Sequence, residues 1–121
     1  MQSRPRFGFE GFQVWQDARD LAVLCHGLSA VLRRGGKGRE ARLLLRAGHR
    51  PAVHLAEASE ATTLRSFMIH LQHARDSSSI LSALISTIRA PESVGEDLGM
   101  VKEIVDRLIQ DLLDAIRRKA F

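Results

Sequence analysis

An all-α fold, an up-down-up-down antiparallel four-helix bundle, is what this 121-residue chain predicts, and three observations predict it. Apolar residues recur every three or four positions along nearly the whole chain, the period of a helix that buries one face. No convincing two-residue alternation and no Asn-Gly hairpin signal interrupts that rhythm. The periodic stretches are each about 30 to 40 Å long as helices, and their connections are short, so consecutive helices become antiparallel neighbours. A chain of 121 residues supports one hydrophobic core, and residues 1–121 are read as a single domain.

The first helix is predicted over 12–32, with Val14, Ala18, Leu21, Cys25, Leu28 and Leu32 on one stripe and Trp15 and Ala22 beside it. "RRGGKG" at 33–38 ends it, because paired glycines weaken a helix and admit the left-handed conformation that closes its C-terminus. The second helix, 38–58, carries Ala41, Leu44, Leu45, Gly48, Ala52 and Leu55 on one face. Arg39, Arg42, Arg46 and Arg50 fall almost opposite, which turns them to solvent. Pro51 removes the bond its amide would have given to Ala47, so a kink in one continuous rod is expected in preference to a break. Thr62 or Thr63 caps a third helix, 63–89, whose inward stripe is Leu64, Phe67, Met68, Leu71, Ala74, Ser78, Leu81 and Ile85. Ala90-Pro91 stops it. "SVGE" at 93–96 has capping-box spacing and opens a fourth helix, 94–119, with Leu98, Val101, Val105, Leu108, Leu112 and Ile116 inward. Arg117, Arg118 and Lys119 complement the dipole at its end.

With 45% apolar and 26% charged residues the chain has material for a core, which excludes global disorder. No apolar run approaches the roughly 20 residues that span a bilayer, and residues 1–12 lack a signal-peptide core, so a cytoplasmic location is expected. Cys25 is the single cysteine. It excludes an internal disulfide and any multi-cysteine metal site, and its spacing reads as core. The formal charge is +4, but its distribution says more. Arg33, Arg34, Lys37, Arg39, Arg42, Arg46 and Arg50 stand against Glu40 alone, leaving the rest of the chain slightly acidic. Excess positive charge gathered in one segment suits a phosphate backbone, since affinity grows with the number of phosphates neutralised together. The simpler alternative is a solvated helix face.

"HRPAVHLAEASEATTLRSFMIHLQHA", residues 49–74, gathers four histidines and two glutamates. Carboxylate-bridged metal bundles use Glu-x-x-His pairs facing inward; here the pairs are His54-x-x-Glu57 and His70-x-x-His73. Helical projection sends Glu57 out with the arginines, where one of them is its expected partner. It places His70 at a boundary with a nitrogen toward solvent, and His73 well away from the Phe67/Leu71 stripe. On that reading the four do not converge, His26 and His49 have no partner, and neither a metal nor another cofactor is expected. Ser77, Ser78 and Ser79 lie near His73 and Asp76 in sequence but radiate around one helix, so they form no relay; small side chains there permit close packing. No phosphate-cradling glycine loop is present. The chain is therefore read as a non-enzyme. Val53, Ile69, Ile80 and Leu84, with Leu43, fall toward the polar sides of their helices, and an apolar patch of that kind predicts self-association.

"FEGFQVWQDARDLA" (9–22) resembles the opening of the bacterial four-helix-bundle proteins first noted in intervening sequences of 23S rRNA genes, with its aromatic, short gap and Val14-Trp15-Gln16-x-Ala18 segment. "RPAVHLAEASEATTLRSFMIHLQHARDSS" (50–78) resembles their second signature. Pro51, Ala56, Glu57, Phe67, Leu71, Ala74 and Ser77 match it; Leu55 stands for Ile, Ala58 and Asp76 for glycines, and His54 for Asn. The likeness spans nearly the whole chain. It implies a bundle commonly assembled as a ring-shaped homopentamer, without a catalytic centre. One branch of that family, the accessory variability determinants of diversity-generating retroelements, works with a reverse transcriptase and nucleic acid. Together these readings predict an oligomeric nucleic-acid-binding accessory protein that binds RNA or DNA through the seven basic residues. The second reading is a structural or protein-interaction bundle with no direct nucleic-acid role.

Overall fold

The computed structural model describes residues 8–89 and 92–119. Among them are five α-helices and no strands: α1 (Gly8–Arg34), α2 (Gly38–Gly48), α3 (Arg50–Ser59), α4 (Leu64–Thr87) and α5 (Glu92–Lys119). Helices α2 and α3 run on from one another as a single limb, so the chain makes four limbs. Limb α1 packs against α2, α3 and α5, and α4 packs against α3, α2 and α5, while among the described residues the backbones of α1 and α4 do not approach closely across the diagonal. This is the four-helix bundle that the periodicity predicts. No helix among the described residues is long and apolar enough to cross a membrane.

Each boundary has a local cause. Lys37 N–H donates to the Leu32 carbonyl at 2.9 Å and Gly36 N–H to that of Arg33 at 3.1 Å. These are the two bonds of a Schellman close, with Gly36 at φ 84° supplying the left-handed residue. Thr63 caps α4 through Oγ1, which accepts from Ser66 N–H at 3.1 Å. The expected capping box cannot be followed, because the Ser93 side chain and residues 90 and 91 lie outside the described residues; α5 is helical already from Glu92.

The expected kink at Pro51 is a break. His49 (φ −108°, ψ 3°) leaves the helical region, α2 ends at Gly48, and Pro51 falls in the first turn of α3. Proline has no amide hydrogen to give to Ala47, and its ring crowds that carbonyl; in the first turn of a new helix neither defect matters. The rod predicted over 38–58 is thus two shorter helices hinged at one residue.

The core is the predicted one with few changes. Val14, Ala18, Leu21, Cys25, Leu28 and Leu32 are all buried, as are Ala41, Leu44, Leu55, Phe67, Leu71, Leu81, Ile85 and the α5 stripe from Leu98 to Leu112. Leu64 departs from expectation at 59% exposed; it is the first residue of α4. Ser77 and Ser78 are buried and both donate to the Ala74 carbonyl, at 3.0 and 2.7 Å. Their hydroxyls are thereby satisfied within their own helix, and small side chains remain at the packed face.

Candidate functional site

The basic segment spans the end of α1, the turn after it and the second limb. Arg33 and Arg34 are exposed in the last turn of α1, and Lys37 is half-buried in the connecting turn. Arg39, Arg42, Arg46 and Arg50 are exposed while Ala41 and Leu44, between them in sequence, are fully buried. Helical rise spaces the four arginines over about 16 Å. Among the described residues none of the seven cations takes part in an ion pair, so their field is not neutralised within the subunit. The hinge at His49 does not divide the stripe, because Arg46 before it and Arg50 after it border the same groove.

That groove, of about 540 Å³, runs between the second limb and α4. Leu43 and Ala47 from α2 and Ile80 and Leu84 from α4 contribute apolar surface; Arg46, Arg50, His54, His73, Asp76 and Ser77 complete it. Two of the four residues expected at an oligomer interface, Ile80 and Leu84, are therefore groove residues. Ile80 is 65% exposed, whereas Leu84 is half-buried. Val53 (47%) and Ile69 (41%) are exposed outside the groove lining. Asp76, the groove's only acid, pairs with Arg75 at 3.1 Å.

The histidines correct the projection argument. Among the described residues Glu57 pairs with no arginine: its Oε1 lies 3.1 Å from His54 Nδ1 and 3.5 Å from His70 Nδ1. The His73 ring stands edge-on to both His54 and His70, with centroids 5.5 and 6.0 Å apart. The four side chains do converge, because α3 and α4 are packed neighbours and a flank of each helix meets in the seam between them. Single-helix projection missed this; it separates faces of one helix but cannot see two flanks brought together. His70 Nδ1 is shielded against Glu57 and makes no hydrogen bond there, while the side chain as a whole is half-buried, the boundary position expected. Among the described residues no three His, Cys, Asp or Glu side chains are arranged to hold a metal ion.

One polar pair escaped the sequence reading. Asp17 is 1% exposed and accepts from Arg107 Nε at 3.2 Å and Nη2 at 3.0 Å, and from Gln13 Nε2 at 3.2 Å. The fork of two bonds ties α1 to α5. These bonds and the Asp17 charge push the Arg107 pKa up. Desolvation, with the charge of Asp17 next, raises the Asp111 carboxyl above its usual range. The signal was present, since Asp17 sits three residues after Val14 and four before Leu21, at inward spacing. Cys25 is buried, and burial pushes its thiol up to about 12, which leaves it without nucleophilic character at neutral pH.

No protein-family model matches the chain, and no curated protein matches it. A solved structure does: a protein of unknown function from the S23 ribosomal protein family of Bacteroides thetaiotaomicron. The likeness has a TM-score of 0.82 at 17% identity, over 90% of this chain and 99% of that one. At that identity the likeness carries the fold.

Proposed function

We propose that this chain is a non-enzymatic, oligomeric nucleic-acid-binding accessory protein of the kind its motifs resemble, in which Arg39, Arg42, Arg46 and Arg50 contact phosphates and Arg33, Arg34 and Lys37 strengthen the local field. One observation carries the reading: seven cations lie on one segment, and among the described residues none of them takes part in an ion pair. Cations left unpaired on one face are free to replace the counterions of a polyanion, and the release of those ions drives binding. The S23 ribosomal name of the structural neighbour is in keeping with service to RNA. In the retroelement branch that service would be to a reverse transcriptase.

The test is to replace Arg39, Arg42, Arg46 and Arg50 together by Gln and titrate an RNA and a DNA oligonucleotide across salt. Four lost phosphate contacts should weaken binding at 50 mM salt by about a hundredfold or more and lower the slope of log K against log salt by about 3. Unchanged affinity and slope would leave the stripe as a solvated helix face, and binding absent altogether would favour a bundle that serves only protein contacts.

A further inference from the structure

The groove beside the arginines is apolar where a surface built for phosphates alone would have no need to be. Resting on the nucleic-acid reading above, we infer that it takes an unstacked base, and that the preferred ligand is therefore a single strand.

Arg46 near the end of α2 and Arg50 at the start of α3 border the opening from either side of the His49 break, so a strand whose phosphates they hold passes directly over the groove. Within lie Ile80, 65% exposed, and the rings of His54 and His73, set edge to face at 64°. A flat heterocycle from the strand can rest its face on Ile80 and an imidazole while its phosphate stays on the arginines. Cationic tracks flanked by apolar or π surface are the usual means of binding unpaired strands without regard to sequence. In a duplex the bases are stacked inside, so the apolar surface meets nothing and only the phosphate contacts remain. Two carboxylates stand near the strand's path: Asp76 on the lining, paired with Arg75 at 3.1 Å, and Glu57 behind His54 at 3.1 Å. The volume, about 540 Å³, lies in the range of small-ligand pockets.

Three ligands of one length separate the contributions: a single strand, its blunt duplex and an abasic single strand, each as RNA or DNA where the chemistry permits. Stacking of one base is worth about tenfold or more in affinity. The native protein should bind the single strand about tenfold more tightly than the duplex, and the abasic strand should lose that advantage with its salt slope intact. The double variant Ile80→Ser/His73→Ala, measured at pH 8, should lose the preference while keeping duplex affinity. Both side chains are exposed, and the abasic strand tests the same point without altering the protein. Equal affinity for all three ligands overturns the base-binding groove and leaves the stripe standing. A change of oligomeric state in the double variant also overturns it, in favour of a subunit contact. No binding of any ligand at low salt removes the stripe and the groove together.

Discussion

At the scale of single residues, two glycines in helices show why sequence alone does not decide a substitution. Gly48 lies where α2 crosses α1, and a methyl built on it would run into Cys25 Cβ and come within 2.9 Å of Cys25 Sγ. Gly27 has nothing within 4 Å of the same position and is exposed. Helix propensity favours alanine at both sites by up to about 1 kcal/mol. Contact with Cys25 reverses the sign at one of them. Gly48→Ala should lower stability by about 1–3 kcal/mol through overpacking, and Gly27→Ala should raise it by about 0.5–1 kcal/mol, both read from urea midpoints. A stabilised Gly48→Ala would mean that the helices do not meet there. The same closeness explains the thiol, which should resist labelling at pH 8 until the protein unfolds.

Between elements, the α1–α5 contact depends on an ion pair whose partners differ in exposure. Asp17 is 2% exposed as a side chain and Arg107 is 55%. Removing the arginine leaves a buried carboxylate without its charge partner, which costs about 3–5 kcal/mol for a fully buried pair. Solvent around Arg107 screens part of that, so Arg107→Met should cost about 2 kcal/mol in a urea melt. Asp111 works in the opposite direction. Its folded pKa is raised, so the native state holds its proton more tightly, and this contribution to stability falls as pH rises from the ordinary carboxylate range through the folded value. Asp111→Asn should therefore raise the melting midpoint near pH 7 and have no such advantage near pH 3; a lowered midpoint at pH 7 would contradict the desolvation argument. These pairings also mark the limit of what the sequence conveys about elements. The Val14–Leu32 stripe, the Gly36 close and the Thr63 cap are legible because each depends on neighbours within one turn. The meeting of Glu57 with His54 and His70 is not, because it depends on which flanks two separate helices turn toward their common seam.

For the molecule as a whole, periodicity and short connections were enough to arrive at four packed limbs, and exposure of the arginines followed from their position opposite Leu44. The groove was less legible: Leu43, Ile80 and Leu84 were visible only as apolar residues off the core face, and nothing in the chain said that they line one depression with Arg46 and Arg50. Their place there alters the case for assembly. Self-association cannot rest on Ile80 and Leu84 if those residues receive a base, and it passes to Val53 and Ile69, joined by Val23 at 69% and Met100 at 48% exposed. A contact between copies through such side chains is heterologous when it joins different limbs, and it closes into a ring only if the rotation between copies permits. A ring would present the stripe several times over, and linked sites bind a long strand far more tightly than one alone. Sedimentation should then give a multiple of the 13.5 kDa subunit, and Val53→Ser/Ile69→Ser should shift it toward the monomer. The monomer should bind a long strand with a salt slope of about 3 to 6, set by the four to seven cations of one subunit, and the assembled protein with a steeper one. A native monomer whose slope equals that of the double variant would show that each subunit meets nucleic acid alone.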